Sequence, residues 1–401
     1  MIYVGVDIAK ADHCVAAIDG NGRVVLKPTT ITQDAAGFHR LGQLLRQLGT
    51  PETVMVGAEA TGHYWVLLAE EIQSLGWTPT IFNPLLSCEA GRTSVRGRKT
   101  DEDDALVIAK VLRDGGFHPM RLPDAAMGNL KRLCRYRQGA VERSANLKKR
   151  LIGHLDLVFP EFAALFSDAY GVTARAILAK APSARLLAES STRSLSATMG
   201  AVSRGRIGVD RAKAVIAAAR SSIARSRIDH ATELAIRMTI QEIDLLEQQI
   251  AVYDSEIAQA DPPGKSLLLT VPGIGPVLAA VILAEIGDIE RFRGGNGVHR
   301  LLAFAGLDPR IRESGQWSGK PRMSKRGSSA LRTACWRAAF VASRHEAFKP
   351  IYDQHRLVMK QHAKLAISHV ARKMVQAIYG VLRHQKPFNI AAFQGKVRDA
   401  A

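Results

Sequence analysis

Residues 2–30 read IYVGVDIAKADHCVAAIDGNGRVVLKPTT, and this stretch decides the fold. Residues 2–6, 14–18 and 24–29 are short apolar runs rich in valine and isoleucine, and each predicts a strand. Asp19-Gly20-Asn21-Gly22, between the second and third runs, is a hairpin-turn signal, because such dipeptides tolerate the positive φ a tight turn needs. Working outward, residues 54–59 and 80–82 predict two further strands. Helical spacing of apolar residues predicts helices over 35–48, 65–75 and 101–113.

Four carboxylates occupy particular places in this pattern. Asp7 closes the first strand in GVDIAK, and Glu59 closes the fourth in VMVGAEATGHYW. Asp101 and Asp104 open a helix in RKTDEDDALVIAK, and a separation of three puts both on one helix face. Acids at the ends of neighbouring strands, facing acids on a packed helix, make a set of hard oxygen ligands suited to Mg²⁺ acting on phosphodiesters. Any one of them alone reads equally well as a solvated strand-end or helix-start acid, and Asp101 also suits a helix N-terminus. Arg96, Arg98 and Lys99 immediately precede the pair and point to an anionic substrate.

The order of elements matches the ribonuclease H-like plan, with acids at the end of the first strand, the end of the fourth, and on a late helix. Sugar kinases and actin-like ATPases open with a related fold and an early Asp, so fold alone does not decide the chemistry. The chain lacks the Gly-rich phosphate loops those ATP enzymes use, which counts against ATP.

The 401 residues suffice for two or three domains, and 47% hydrophobic with 23% charged residues is ordinary for a globular protein. A formal net charge of +18 is not ordinary, and it predicts a nucleic-acid partner. An anionic membrane is the competing partner, weakened by the lack of a long apolar run. Cys14, Cys88, Cys134 and Cys335 are far apart and form no Cys-x-x-Cys pair, which predicts reduced structural thiols and a cytoplasmic setting.

Beyond about residue 127 the sequence turns helical. Ile236, Ile243, Ile250 and Ile257 recur every seven residues with Thr239, Leu246 and Tyr253 between them, a coiled-coil seam. Its partner is either the helix over 127–158 or another protomer. The Ala-, Ser- and Arg-rich residues from about 165 to 225 read as an insertion at the tip of a helical hairpin. Past Asp261-Pro262-Pro263-Gly264, the Pro272-Gly273-Ile274-Gly275 turn between apolar segments resembles a helix-hairpin-helix element. In such an element Gly273 and Gly275 let backbone N–H groups approach a phosphate; a plain glycine turn between packed helices is the alternative.

A second chemical centre is AFAGLDPRIRESGQWSGKPRMSKRGSSALR, residues 303–332. Arg310, Arg312, Lys320, Arg322, Lys325, Arg326 and Arg332 frame Ser314, Ser318, Ser324 and Ser328. A hydroxyl attacking a phosphodiester needs cations around the developing charge. The same composition also serves a loop that only contacts phosphates.

GVDIAK, EATGHYW and KTDEDDA, then VPGIGPVLAAVILAEIGDIERF, AGLDP, ESG and SKRGSSALR, resemble the transposases of the insertion-sequence-110 family and the related Piv invertases. The likeness covers roughly residues 1–160 and 265–385, with the central insertion outside it. It implies a mixed α/β and all-α chain in three parts: a RuvC-like DEDD domain over 1–125, a helical coiled-coil region over 126–262, and a mainly helical transposase domain over 263–401. It further implies that Asp7, Glu59, Asp101 and Asp104 bind Mg²⁺. The family's nucleophile is the serine of the Ser-Gly step after Gly-Leu-x-Pro, which is Ser314, with Ser318 in reserve because it too precedes a glycine. Ser328-Ser329 stands where the family commonly has an Asn, and the chain is long for the family. The activity implied is recombination of donor and target DNA through a phosphoserine link, guided by a structured RNA from the element's noncoding end and carried out by a homo-oligomer. Two other readings compete: a RuvC-like metal-dependent nuclease for branched DNA, and a non-catalytic nucleic-acid scaffold.

Overall fold

The computed structural model describes residues 1–83, 101–115, 124–206, 208–310, 313–314, 317–318 and 322–398. The side chains of Asp101, Glu102 and residues 310–322 and 396–398 lie outside that description, as do Arg96, Arg98, Lys99, Arg312 and Lys320 altogether. The chain divides into two compact units, residues 1–122 and 123–401.

The first unit is built on a five-stranded sheet: β1 (Ile2–Ile8), β2 (Asp12–Ile18), β3 (Val24–Thr32), β4 (Val54–Glu59) and β5 (Pro79–Phe82). Their order is β3-β2-β1-β4-β5, with β1, β2 and β3 antiparallel and β1, β4 and β5 parallel. This agrees with the ribonuclease H-like plan. The Asp19 turn forms as its residues require, with the Asp19 carboxylate accepting from the backbone N–H groups of Asn21 and Arg23 and Gly22 at φ 84°.

Strand alternation separates two faces. Val4, Val6, Val54, Val56 and Ala58 join Leu41, Leu45, Leu68 and Ile72 in one core, beneath α1 (Ala35–Leu48) and α2 (Trp65–Ser74). Asp34 caps α1 by accepting from the Gly37 N–H at 2.8 Å. The other face carries α3 (Asp101–Asp114), where Ile108, Val111 and Leu112 meet Tyr3, Met55 and Phe82.

The second unit opens with two long helices, α4 (Ala125–Val158) and α9 (His230–Gln259), packed as an antiparallel hairpin. Antiparallel order follows from the pairs: Arg137 with Asp254, Lys148 with Glu247 at 2.9 Å, and Leu151 and Leu155 clustered with Ile236 and Ile240. The sevenfold seam of α9 therefore meets α4 within the chain. Ile236, Thr239, Ile243, Leu246 and Ile257 are buried along it.

At the far end of the hairpin, α5 (Val172–Lys180), α6 (Ala184–Glu189), α7 (Thr192–Ser203) and α8 (Val209–Ser221) share a core with the α4 and α9 ends. Arg175, only 5% exposed, is held there by Asp244 and Glu247. The remainder is α10 (Lys265–Leu268), α11 (Pro276–Ile286), α12 (Gly297–Ala305), α13 (Ser329–Ala342), α14 (Lys349–Asp353), α15 (Ala363–His384) and α16 (Ile390–Arg398). Their largest core gathers Leu283, Leu302, Phe348, Met374 and Ile378. Among the described residues no helix is long and apolar enough to cross a membrane.

Candidate functional site

The acids of the first unit are positioned by strand register. β1 and β4 pair Gly5 with Gly57 and Val6 with Ala58, so Asp7 and Glu59 occupy the next step, side by side at the sheet's carboxyl end. Both belong to the alternation set that faces α3. Gly5 and Gly57 let that helix approach. A Cβ at Gly5 would lie 2.2 Å from the Ala105 carbonyl oxygen, and one at Gly57 would lie 2.6 Å from Leu112. Each strand thus carries a glycine two residues before its acid, and together they form a trough for the helix.

The same contacts set the helix direction. Tyr3 and Met55, near the strand starts, meet Val111 and Leu112, whereas Gly5 meets Ala105 and Ala109. α3 therefore runs antiparallel to β1 and β4, and its first turn, with Asp101 and Asp104, falls toward the strand ends. Asp7, Glu59 and Asp104 are half-buried. The Thr61 hydroxyl donates to Glu59 at 3.3 Å. Among the described residues, which do not include the Asp101 side chain, no three His, Cys, Asp or Glu side chains stand close enough to hold a metal ion. As donors, four carboxylates suit a hard divalent cation.

The second centre is a hairpin arm. β6 (Pro309–Arg310) pairs with β9 (Arg322–Met323), and β7 (Glu313–Ser314) pairs with β8 (Trp317–Ser318). The register sets Ser314 opposite Trp317 across a two-residue tip, Ser318 opposite Glu313, and Arg310 opposite Arg322. The four serines of this stretch therefore divide into two kinds. Ser314 and Ser318 belong to the outer part of the arm. Ser324 and Ser328 belong to its root, where both hydroxyls are committed to carboxylates.

At that root the Ser324 hydroxyl donates to Asp308, and the Ser324 N–H donates to the Asp308 carbonyl at 2.9 Å. Lys325 adopts φ 52°, held by its N–H on the Gly306 carbonyl at 3.2 Å. Ser328 caps α13 by accepting from the Leu331 N–H at 3.1 Å, and its hydroxyl donates to Glu285 at 2.9 Å. Lys325 and Arg326 are exposed. Arg332 is turned inward, donating to the carbonyls of Ala305 and Lys325 at 3.2 and 3.4 Å. Sequence reading grouped it with the cations that meet nucleic acid; the fold uses it to tie the arm's root to α12.

Glu285 is a functional candidate the sequence reading missed. It is 2% exposed, receives two hydrogen bonds from Arg135 at 2.8 and 3.1 Å, and lies 3.6 Å from Lys131. Burial pushes its carboxyl up, but Arg135, Lys131 and Ser328 together hold it below the usual carboxylate range. The signal was present, since a lone glutamate inside the apolar run VLAAVILAEI requires buried partners. Gly273, at φ 87°, has its open side against α13, where a Cβ would lie 2.3 Å from the Ala338 carbonyl oxygen. Gly275 has free space around it at the N-terminus of α11.

Both halves of this arrangement match known proteins. Residues 4–160 match a transposase model, the DEDD type of IS110 elements, and residues 265–353 match the transposase model of the IS116/IS110/IS902 family. The chain belongs to the IS110 transposase family. It is 24% identical to an uncharacterized protein of insertion element IS116 from Streptomyces clavuligerus, over 97% of this chain and 96% of that one. Identity is 29% to a putative mini-circle transposase for IS117 from Streptomyces coelicolor, over 79% and 78% of the two chains. A pilin gene-inverting protein of Moraxella bovis is 32% identical over 31% of this chain and 38% of its own. The transposase is a DNA-acting enzyme of insertion-sequence type, from a family that is generally metal-dependent.

Proposed function

We propose that this transposase cuts and rejoins DNA through a serine-linked intermediate, with Ser314 as nucleophile and Asp7, Glu59, Asp101 and Asp104 as the holders of Mg²⁺. The Ser314 hydroxyl attacks a DNA phosphorus and gives up its proton. A phosphoserine ester forms as one strand end leaves as a hydroxyl. A hydroxyl from another strand end then reverses the step, restoring a phosphodiester and freeing the serine, so the bond energy is conserved. Mg²⁺, when bound by the four carboxylates, supplies charge stabilisation for the transferring phosphoryl oxygens. Lys325 and Arg326 at the arm's root, together with Arg310, Arg312, Lys320 and Arg322 of the same stretch of sequence, supply cations for the DNA backbone.

One observation carries the choice of serine: Ser314 stands at the tip of the arm, while Ser324 and Ser328 are bound to carboxylates at its root. Ser318 stays the reserve nucleophile, one strand away. Donor and target DNA are chosen by a structured guide RNA whose pairing reads sequence, leaving the protein to read backbone and shape; the +18 charge supports this division of labour. Joining two DNAs needs at least two protomers, and because α4 covers the α9 seam, such an assembly uses other surfaces.

The test is a covalent-adduct assay on the full chain with Mg²⁺, a transcript of the element's flanking noncoding region and its junction DNA. The expected result is a denaturant-resistant protein–DNA adduct that Ser314→Ala abolishes and Ser318→Ala retains. Nicking without an adduct, unchanged by Ser314→Ala, would replace this reading with a metal-only nuclease.

A further inference from the structure

α13 distributes its side chains by size in an unusual way. Its core side is almost entirely small: Ala330, Ala334, Cys335, Ala338, Ala339 and Ala342 are buried, with Leu331 the one large residue among them. Two bulky groups face outward, whereas Trp336 is half-buried and packs partly against the core. Phe340 is 44% exposed and its neighbour Val341 is 57% exposed. Burial of a phenylalanine is strongly favourable, so an outward Phe beside an outward Val on a helix whose core face is alanine marks a surface meant to be covered.

The chemistry of that surface is specific. Trp336 and Phe340 lie one turn apart with ring centroids 5.9 Å apart and planes 14° from parallel. The Arg344 guanidinium lies 5.5 Å from the Phe340 ring centroid, one further turn along. Arg337 is exposed beside them. From Ser329 to Ala342 the helix contains no acidic residue, and the first beyond it is Glu346. Aromatic rings interleaved with arginines, without acids, complement a polyanion that carries flat π-faces.

We infer that this face of α13 is a stacking platform for unpaired bases of a DNA strand. A duplex hides its base faces within the stack, so flat exposed rings suit an unpaired strand better. Ser328 caps α13 where the arm ends, and a rise of about 1.5 Å per residue sets Trp336 roughly 12 Å and Phe340 roughly 18 Å along the axis from that cap. A strand released at the arm would reach the platform within a few nucleotides. This inference rests on the reading that the arm works on DNA strands, but not on the identity of the nucleophile.

Binding of the full chain to a labelled single-stranded DNA 12-mer, the matching duplex and the same sequence as RNA, measured by anisotropy at one salt concentration, tests it. Phe340→Ala is expected to weaken single-strand DNA binding about 5- to 150-fold, as loss of one base–aromatic stack does, with duplex binding unchanged and Phe340→Trp restoring affinity. Binding involves no strand transfer, so failure of the nucleophile reading is seen in the adduct assay and failure of the platform is seen here. An equal loss on single strand and duplex, or no loss, overturns the platform. A loss confined to RNA assigns the face to RNA instead. Unchanged affinities with altered sedimentation make it a subunit contact. Because Phe340 is exposed, an unchanged circular dichroism spectrum and melting temperature are expected for the variant.

Discussion

The two candidate centres are held by opposite means. In the first unit, the acids are placed by regular structure: paired strands put Asp7 beside Glu59, and a helix seated on Gly5 and Gly57 brings its first turn toward them. In the second unit, Ser314 rides on a short hairpin whose strands are two residues long. Its position depends on side-chain latches at the root, Ser324 to Asp308 and Ser328 to Glu285. Carboxylates that must share one cation need fixed mutual geometry, which a sheet supplies. The serine of the hairpin relies instead on local strand pairing and on contacts at the root.

This contrast can be broken first at the chemistry. Ser314→Ala and Asp104→Asn are each expected to lower strand transfer about a thousandfold or more, the scale of losing a nucleophile or a charge-stabilising centre. Strand transfer measured on junction DNA checks this, and a milder loss for Ser314 than for Ser318 would reverse their roles.

Next comes the trough. Gly5→Val places side-chain atoms against the α3 backbone, so the first unit should lose about 3 kcal/mol or fail to fold. The second unit should keep its own thermal transition in calorimetry. Loss of both transitions together would mean that the units fold as one.

Glu285→Ala sharpens the comparison from the other side. It leaves Arg135 and Lys131 around a vacated buried site and frees Ser328, a cost of about 3 kcal/mol on the scale of broken buried ion pairs. The expected reading is a lower second-unit melting temperature and a slower strand-transfer step, with DNA affinity retained.

Ser324→Ala removes one latch and should cost about 1 kcal/mol. If the latch positions the arm, the turnover rate falls while KM for DNA stays constant, and Ser324→Thr restores the rate. A pure stability effect would leave both constants unchanged well below the melting temperature.

A further effect is on pH. His369 stacks on His355, with centroids 3.6 Å apart, and its pKa is lowered to about 4, first by burial and then by the charges of His355 and Arg372. The unfolded chain takes up its proton first as pH falls through about 6.5. Stability is therefore whole above that value and declines between there and about 4. Melting temperatures at pH 7.5 and 5 should differ less in His369→Phe than in wild type. His13 in the first unit is lowered in the same direction by burial, partly opposed by Asp12, so that unit should respond through a different residue.

Much of the first unit was legible because strand and helix periods are local. The expected strand over residues 54–59 and helix over 35–48 coincide with the observed Val54–Glu59 and Ala35–Leu48. The first strand runs two residues beyond its apolar core, to Ile8, because backbone pairing with β2 does not require apolar side chains. The α9 seam was legible as a pattern, but its partner was not. A heptad specifies a surface, and whether α4 or another chain covers it depends on connections that bring Arg137 to Asp254 and Lys148 to Glu247. At the arm, composition marked all of Ser314, Ser318, Ser324, Ser328 and Arg332 alike. Only hydrogen-bond partners distant in sequence separate the structural members from the remainder.

The sequence by itself determined the periods, the turns and the order of motifs, since these depend on neighbours within a few residues. It also carried the family resemblance and the excess positive charge. Tertiary structure alone decided that Gly5 and Gly57 share one trough, that Arg332 faces inward, that Glu285 joins α4 to the cap of α13, and that Phe340 faces out. Each of these depends on which surfaces meet, and contacts between residues dozens to more than a hundred positions apart are set by packing of the whole unit rather than by any local rule.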